Sequence, residues 1–335
     1  MVMLFGLAGE EAMLRIGSLD QLAYAESLVE ENGPGRGGRR LRLVNGSGLE
    51  LELHPDRALD LGRVTAWGTP LAWRSAAGFP VPVTHPAQGL GWLESFGGGL
   101  LTTCGLDTFG APCQDDGEDF GLHGRVGGLP ARIRRLDVTD RAVVVEGDVH
   151  QVRVLHQNLR LRRRVQLPLG EPAFTVRDTV TNLGPADTAH MILYHCNFGW
   201  PLIEEGTELL IASTVVEPRD EAAHEGLDEW NRIEPPAPGV PERVFRHVID
   251  SPRPTVVIRN PRLGIQVSLL YSAITLGSLY QWKMMRNSDY VLGIEPANCP
   301  TLLGRGAARQ LGVLPMLRAG QSVEYDLEFR VERLC

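Results

Sequence analysis

The sequence predicts an all-β fold, a large antiparallel β-sandwich with few short helices. Hydrophobic and polar residues alternate with a period of two in many short runs, which is typical of strands that bury one face. The chain contains 38 glycines and 23 prolines, many of which separate these runs as turns. Strands do not alternate with long amphipathic helices, so two packed antiparallel sheets are favoured over a parallel α/β sheet.

The individual strands follow from this alternation. In QSVEYDLEFRVERL, the apolar residues of one strand face are Val323, Tyr325, Leu327, Phe329 and Val331. Residues 41–53 predict a hairpin whose turn is the glycine-rich segment 45–48. Segment 18–31 fits either an amphipathic helix or a strand, and both alternatives stay open. Other strand-like runs are 143–145, 152–155, 159–167, 174–180, 255–258, 265–271, 274–280 and 290–294.

The length of the chain sets the expected domain organisation. With 335 residues and 43% hydrophobic content, the chain is long enough to bury one large core. We expect a single domain over residues 1–335, with residues 1–39 as an N-terminal extension packed on the sandwich. Two loops, near 84–125 and 216–242, are rich in Gly, Pro and acidic residues. Their length is typical of functional loops.

Charge and cysteine content narrow the functional classes. A net charge of -8 without a clustered basic surface disfavours nucleic acid and anionic membranes as partners, and favours a neutral small molecule. No apolar run approaches the roughly 20 residues that a membrane-spanning helix needs. Five scattered cysteines without a C-x-x-C pair favour neither a disulfide framework nor a structural zinc site. We therefore expect a cytoplasmic protein without a metal or organic cofactor, and a homodimer stays open.

Three short segments carry titratable side chains in positions that suit a pocket. His195 lies in YHCNFGWPL and Glu295 lies in GIEPANCP, each at the end of an apolar run of strand length. His123 and Arg125 lie in GLHGR, where glycines allow the backbone to approach a ligand closely. Two imidazoles, a carboxylate and a guanidinium suit general acid and base chemistry on a polyhydroxylated substrate.

Several of these residues also have a purely structural interpretation. His195 fits a buried histidine with a hydrogen-bond partner, and Glu295 fits an ion pair with one of the many arginines. Arg57 fits a local salt-bridged turn in HPDRALDLG. Lys283 is the only lysine, and it fits an imine, a contact with a hydroxyl or carboxylate, or chance in an arginine-biased composition. Trp282 fits either a stacking platform for a sugar ring or a core aromatic.

Six segments of the chain together resemble a known family. They are PDRALDLG, TCGL, GLHGR, HCNFGWPL, QWK and IEPAN, and they resemble a bacterial mutarotase-like family in the aldose 1-epimerase, or galactose mutarotase-like, superfamily. The resemblance covers about residues 40 to 333. It implies a galactose mutarotase-like supersandwich with a carbohydrate cleft on one sheet. Characterised mutarotases carry H-T/S-Y-F-N-L and E-P-Q where this sequence has HCNFGWPL and EPAN.

The resemblance also implies roles for individual residues. Glu295 matches the base that removes a proton from the anomeric hydroxyl, and His195 matches the acid that protonates the ring oxygen. His123 and Arg57 match residues that hold sugar hydroxyls. We expect further substrate contacts from Arg125, Asn197, Trp282 and Lys283.

These features predict a carbohydrate-active protein that interconverts sugar anomers as an aldose 1-epimerase (mutarotase), through acid- and base-catalysed ring opening. Two other classes stay open. One is a non-catalytic carbohydrate-binding module on the same fold. The other is a different sugar isomerase, either metal-dependent with His123, His195 and Glu295 as ligands, or imine-forming through Lys283.

Overall fold

Strands dominate the computed structural model of the protein, which describes residues 2–81 and 88–334. Residues 84–87 of the loop expected near 84–125 lie outside the described residues. Within the described ranges, the strands in chain order are β1 (Met3–Leu4), β2 (Leu7–Ala8), β3 (Ala23–Val29), β4 (Arg39–Asn45), β5 (Leu49–His54), β6 (Asp60–Ala66), β7 (Thr69–Pro70), β8 (Leu101–Leu106), β9 (Cys113–Asp115), β10 (Glu118–Phe120), β11 (Ala131–Val138), β12 (Ala142–Val152), β13 (Asn158–Pro168), β14 (Ala173–Asn182), β15 (Thr188–Ala189), β16 (Met191–Gly199), β17 (Glu208–Ile211), β18 (Val215–Pro218), β19 (Arg243–Val248), β20 (Thr255–Asn260), β21 (Ile265–Tyr271), β22 (Ser278–Arg286), β23 (Asp289–Ala297), β24 (Met316–Leu317) and β25 (Ser322–Arg333).

Helices are short throughout the described part of the chain, as the sequence predicts. The α-helices are α1 (Gly9–Met13), α2 (Glu221–Glu225) and α3 (Gly304–Gln310), and the 3-10 helices are Leu19–Gln21, Gly91–Glu94, Val126–Gly128 and Leu227–Glu229. Helix α2 begins after Asp220, whose side chain accepts a hydrogen bond from the Ala223 amide at 3.0 Å. Among the helices described, none is long and apolar enough to cross a membrane.

Two large antiparallel sheets carry the architecture. The smaller has the strand order β11-β12-β13-β14-β25-β21-β20-β17, and the larger has the order β18-β19-β22-β23-β16-β8-β6-β5-β4-β3, with β7 paired to β6. Short pairs form between β1 and β2, β9 and β10, and β15 and β24. The predicted hairpin is present, because β4 and β5 pair with Leu41 opposite Leu53. The fold is therefore the predicted all-β sandwich.

The core lies between the inner faces of the two sheets. Strand β25 shows how the sequence alternation produces it, since Tyr325, Leu327 and Phe329 are buried while the residues between them are more exposed. The Phe329 ring stacks on Phe174 of the neighbouring strand with 4.6 Å between centroids. Each fully buried large apolar side chain of this kind contributes about 1.5–3 kcal/mol to stability.

Segment 18–31, for which the sequence allows a helix or a strand, forms mainly a strand. Ser18 Oγ accepts a hydrogen bond from the Asp20 amide at 3.2 Å, and one 3-10 turn follows. The chain then forms β3, the edge strand of the larger sheet, paired with β4. Ala23 of β3 is fully buried in the main core, and Leu4 and Ala12 are buried there as well. This part of the N-terminal segment is thus integrated into the sandwich.

A buried ion-pair network joins the two sheets on the core-facing side of β6 and β16. Arg163 of β13 donates to both carboxylate oxygens of Asp178 at 2.9 and 2.6 Å and to Asp60 of β6 at 2.6 Å. The Tyr194 hydroxyl of β16 donates to Asp178 at 2.8 Å. Because Arg163 is fully buried, these contacts are shielded from solvent. The network fixes β16 against the smaller sheet.

Candidate functional site

Strand β16 supplies the centre of the site because it alternates between two buried faces. Ile192, Tyr194 and Cys196 belong to the core between the sheets, whereas Met191 and Leu193 belong to a separate cluster. His195 continues the second series, so it projects from the opposite face of the larger sheet. The alternation predicted for MILYHCNFG is therefore confirmed, and it directs His195 away from the main core.

A cavity of about 450 Å³ lies against this face of the larger sheet. The side chains that line it come from β16, β22, β23 and the segments 90–96, 110–123, 219–244 and 302–303. Among the predicted site residues, the cavity brings together His123, His195, Trp282 and Glu295. A concave site that is mostly apolar with a few convergent polar groups is typical of small-molecule binding.

His195 and Glu295 form a close pair in this cavity. Their strands β16 and β23 are direct neighbours, and the Nε2 atom of His195 lies 3.2 Å from Oε1 of Glu295. His195 is 5% exposed and Glu295 is 3% exposed. Their contact is not aligned as a hydrogen bond, and across the described residues neither Nδ1 of His195 nor Oε1 of Glu295 has a hydrogen-bond partner. Buried polar atoms are rarely left without partners, so both are available to a ligand.

Burial controls the protonation of this pair. It raises the pKa of Glu295 to about 8, with a further increase from the charge of Glu242 and an opposing effect of Arg219. Burial also lowers the pKa of His195 to about 3, and the nearby His123 adds to this decrease. Near pH 7 the carboxyl is therefore protonated and the imidazole is neutral. The pair holds one proton over most of the physiological range.

His123 reaches the cavity from a strained turn. Its backbone has a φ of 57°, and the following Gly124 also has a positive φ. A Cβ atom on Gly124 would lie 2.5 Å from the carbonyl oxygen of Gly105, so the turn requires glycine there. The His123 ring centroid lies 5.8 Å from that of His195, and burial lowers the pKa of His123 to about 4. His123 thus presents a neutral imidazole beside the pair.

Aromatic rings form the wall of the cavity. Trp92 and Phe96 stack with 4.1 Å between centroids, and Phe96 lies 5.2 Å from His195. Trp282 meets the His195 ring edge-on at 5.3 Å. These rings restrict the imidazole and exclude water from it. They also offer flat apolar surfaces to a ligand.

Arg219 and Glu242 also line the cavity, and sequence reasoning missed both. An Nη2 atom of Arg219 lies 2.8 Å from Glu242 Oε1, and Trp282 Nε1 donates to Glu242 Oε2 at 3.0 Å. The Glu242 carboxylate is thereby held at both oxygens. Both residues belong to the predicted loop 216–242. The length and acidic content of that loop indicated a functional segment. The loop lacks the periodicity that would have singled out Arg219 and Glu242 within it.

Comparison with known proteins places the chain in a family. A family model described as a domain of unknown function, DUF4432, matches residues 35–331. The chain belongs to the DUF4432 family. No curated protein matches it.

Solved structures show the fold of this DUF4432 protein. A candidate aldose 1-epimerase from Klebsiella pneumoniae is 24% identical with a TM-score of 0.86, over 96% of this chain and 86% of that chain. A galactose mutarotase-like protein from Clostridium acetobutylicum is 13% identical with a TM-score of 0.68, over 94% and 100%. A galactose 1-epimerase from Lactobacillus acidophilus is 12% identical with a TM-score of 0.64, over 93% and 100%. The DUF4432 protein therefore has the galactose mutarotase-like fold.

Arg57 does not reach the cavity of the DUF4432 protein. Its buried guanidinium donates to the carbonyl oxygens of Pro80, at 3.2 Å, and of Ser95, and it lies over the Phe79 ring. The local salt-bridged turn is also wrong, because the neighbouring carboxylates Asp56 and Asp60 pair with arginines from other strands. Arg57 instead fixes the loops beside the cavity.

Asn197 and Arg125 lie near the cavity without lining it. Asn197 is on the same strand face as His195, but its amide donates to the carbonyl oxygens of Gly99 at 3.0 Å and of His195 at 2.9 Å. It therefore holds backbone. Arg125 lines a separate small cleft beside Asp107 and donates to the Val152 carbonyl at 3.3 Å. Neither is among the residues that surround the His195 pair.

Lys283 points away from the cavity because it neighbours Trp282 on the same strand. Its Nζ atom lies 2.7 Å from Glu234 Oε2 and donates to the Glu229 carbonyl at 2.7 Å. Burial lowers its pKa, and the Glu234 carboxylate opposes that effect. The ammonium is thus in an ion pair, and the imine alternative lacks a lysine at the cavity.

The metal-dependent alternative lacks its ligand set in the part of the chain that the structure describes. There, no group of three His, Cys, Asp or Glu side chains is arranged to hold a metal ion. His123, His195 and Glu295 share the cavity, but their geometry does not converge on one point in that way.

Proposed function

We propose that the protein is an aldose 1-epimerase that interconverts the anomers of a sugar. The observation that carries this proposal is the buried contact of 3.2 Å between His195 Nε2 and Glu295 Oε1 in the cavity. The cavity is lined by aromatic rings and contains two polar atoms that lack partners in the described residues. A small polyhydroxylated ring offers both the hydroxyls and the apolar faces that suit such a site.

The reaction needs one proton removed and one proton supplied. The ring of a cyclic aldose opens when the anomeric hydroxyl loses its proton and the ring oxygen gains one. Rotation about the bond between C1 and C2 followed by the reverse transfers gives the other anomer. Each positioned proton transfer contributes a factor of about 100 to 10,000 to the rate. Two adjacent groups that share one proton can perform both transfers.

The proton count of the pair fits this chemistry. Near pH 7 the protonated Glu295 and neutral His195 carry one proton between them. When the two groups align as a hydrogen bond, transfer of that proton from Glu295 to His195 produces a carboxylate and an imidazolium without changing the total charge. Glu295 then acts as the base towards the anomeric hydroxyl, and His195 acts as the acid towards the ring oxygen. The roles implied by the family resemblance need only this internal transfer.

The other cavity residues serve binding. His123 contacts a sugar hydroxyl, Trp282 packs against the ring, and Glu242 accepts a further hydroxyl hydrogen bond. Glu242 is suited to this because Arg219 and Trp282 fix its two oxygens. A preorganised carboxylate loses little freedom when the sugar binds.

Polarimetry on freshly dissolved sugars tests the proposal. We expect the wild-type protein to accelerate anomer exchange for at least one sugar of a broad panel, and Glu295→Gln to lose at least about 100-fold in kcat/KM. Glu217→Gln is the matched control, because Glu217 pairs with Arg246 at the surface. A wild-type rate equal to the uncatalysed rate for every sugar would show that the protein is not a mutarotase. Sugar binding without exchange would then identify a binding module.

A further inference from the structure

The mouth of the cavity is apolar. Leu90, Leu93 and Leu303 line it and are 60%, 52% and 61% exposed. Leu122, Leu302 and Ala111 extend the same lining inward. A large exposed apolar patch is uncommon on soluble proteins and often marks a binding site. Here the patch surrounds the candidate active site.

The charges of the cavity disfavour an anionic ligand. Arg219 is the one cation that lines it among the described residues. Its guanidinium is already bound by two carboxylates, Asp220 at 2.7 Å and Glu242 at 2.8 Å. These three groups together carry one negative charge, and Glu295 adds a second when it ionises. A phosphate or carboxylate on the sugar would find no unpaired cation there.

The proposed pose relates the apolar mouth to one part of the sugar. The carbon beside the ring oxygen carries the exocyclic group of a pyranose. In this pose His195 and Glu295 engage the edge formed by the anomeric carbon and the ring oxygen, and the exocyclic group on the next carbon is placed towards the mouth of the cavity. Beyond that pair, the lining is mainly aromatic and aliphatic carbon. A methyl group there gains apolar contact with the leucines, whereas a hydroxyl gains no hydrogen-bond partner from them.

We propose that the site takes a neutral aldose whose exocyclic carbon bears no polar group, with 6-deoxyhexoses as the model class. This inference rests on the proposed function for its pose. The leucines of the mouth determine the preference for the methyl group, and the Asp220–Arg219–Glu242 cluster excludes anionic sugars.

Titration calorimetry with wild-type protein tests the preference independently of catalysis. The probes are galactose, 6-deoxygalactose, galactose 6-phosphate and galacturonate, with the corresponding glucose series. We expect 6-deoxyhexoses to bind roughly tenfold more tightly than the parent hexoses, less than the about 100-fold that a closed apolar pocket achieves against one added hydroxyl. Anionic sugars should bind at least about tenfold more weakly than the parent hexoses.

Matched variants assign the preference to residues. Leu93→Asn and Leu303→Asn should remove most of the advantage of the 6-deoxy sugar, while Leu210→Asn, on β17 of the smaller sheet, should retain it. Glu242→Gln removes one of the two carboxylates that bind Arg219 and should improve the relative binding of galacturonate, whereas Glu217→Gln should not.

The outcomes separate this inference from the proposed function. Tight 6-deoxyhexose binding without accelerated anomer exchange supports the ligand class and refutes the epimerase. Accelerated exchange with equal or tighter binding of hexoses or anionic sugars supports the epimerase and overturns the ligand class. The ligand class is also overturned if the leucine variants leave the preference unchanged, or if no sugar of the series binds.

Discussion

The Nε2 atom of His195 lies 3.2 Å from Oε1 of Glu295, on directly adjacent strands of one antiparallel sheet. The two groups are separated by a hundred residues in sequence, yet the sheet makes them a unit. Neighbouring strands fix their spacing, and aromatic rings and the Tyr194 contact hold the strands and side chains in place. Groups that act as a unit lose their function together.

We therefore expect the losses in kcat/KM from His195→Asn and Glu295→Gln to be strongly non-additive. The double variant should be no more than about threefold slower than the slower single variant, because either change already removes the shared proton transfer. Steady-state polarimetry on the three variants measures this. Multiplicative losses would indicate that the two residues act independently.

The pH dependence of kcat/KM should show an alkaline limb near pH 8. Above that value Glu295 ionises, the pair no longer carries a proton, and the ring oxygen loses its acid. Glu242→Gln should move this limb to lower pH, since the charge of Glu242 helps to raise the pKa of Glu295. Rates measured from pH 5 to 10 test both expectations. A limb that stays in place in the variant would remove Glu242 from this role.

The buried Glu295 should also cost stability as the pH rises. Its folded pKa of about 8 lies above its ordinary value of 4.5, so the unfolded chain releases this proton first and stability falls between those two values. Glutamine does not titrate. The stability of Glu295→Gln relative to wild type should therefore increase with pH through this window, by at most about 1.4 kcal/mol per pH unit.

Urea unfolding at pH 5, 7 and 9 measures this difference. The exposed Glu205→Gln should show little change with pH relative to wild type, which controls for general charge effects. A difference between Glu295→Gln and wild type that is constant over the window would mean that the carboxylate is not buried as the structure shows.

Local periodicity predicts most of the strands, although residues 154–155 and 274–275 of two predicted runs form turns, and it does not predict which strands pair. The alternation in β25 and β16 predicts which residues share a face, and the structure confirms it because each strand faces a buried layer on one or both sides. The surroundings of Arg57 could not be predicted from neighbouring residues in the sequence. With arginine at 32 of the 33 cationic positions, the partners of Asp56 and Asp60 come from distant strands, Arg39 and Arg163, and sequence proximity to Arg57 does not identify them.

Local patterns do not reveal contacts between distant residues, and this explains which residues of the site the sequence predicts and which it misses. His123, His195, Trp282 and Glu295 sit on or beside apolar runs that local patterns single out, and they share one cavity. Arg219 and Glu242 lie where periodicity is absent, so only the folded path of their loop brings them to Trp282. Lys283 was prominent only because it is a single lysine. Lys283 lies on the face of β22 opposite Trp282, and the sequence alone did not show which of these faces lines the cavity.

The buried network behind β16 predicts large effects on stability. Arg163→Met leaves the carboxylates of Asp60 and Asp178 without their main partner, and we expect a loss of about 3–5 kcal/mol. Tyr194→Phe removes one hydrogen bond to Asp178 and should cost about 1.5–3 kcal/mol. Urea denaturation measures both. A smaller effect of Arg163→Met than of Tyr194→Phe would contradict the arrangement of these contacts.

Lys283 should act in structure rather than in chemistry. Its ammonium pairs with Glu234 and bonds to the Glu229 carbonyl, on the strand face opposite Trp282. We expect Lys283→Met to destabilise the protein by about 1–3 kcal/mol, because it removes the ammonium from one Glu234 oxygen while Arg243 still lies 3.5 Å from the other. The value of kcat/KM at 20 °C should change by less than about threefold. Borohydride should trap no sugar on the wild-type protein, as checked by intact mass. A trapped adduct that disappears in Lys283→Met would instead place this amine in contact with the substrate, which requires the segment around Glu229 and Glu234 to open.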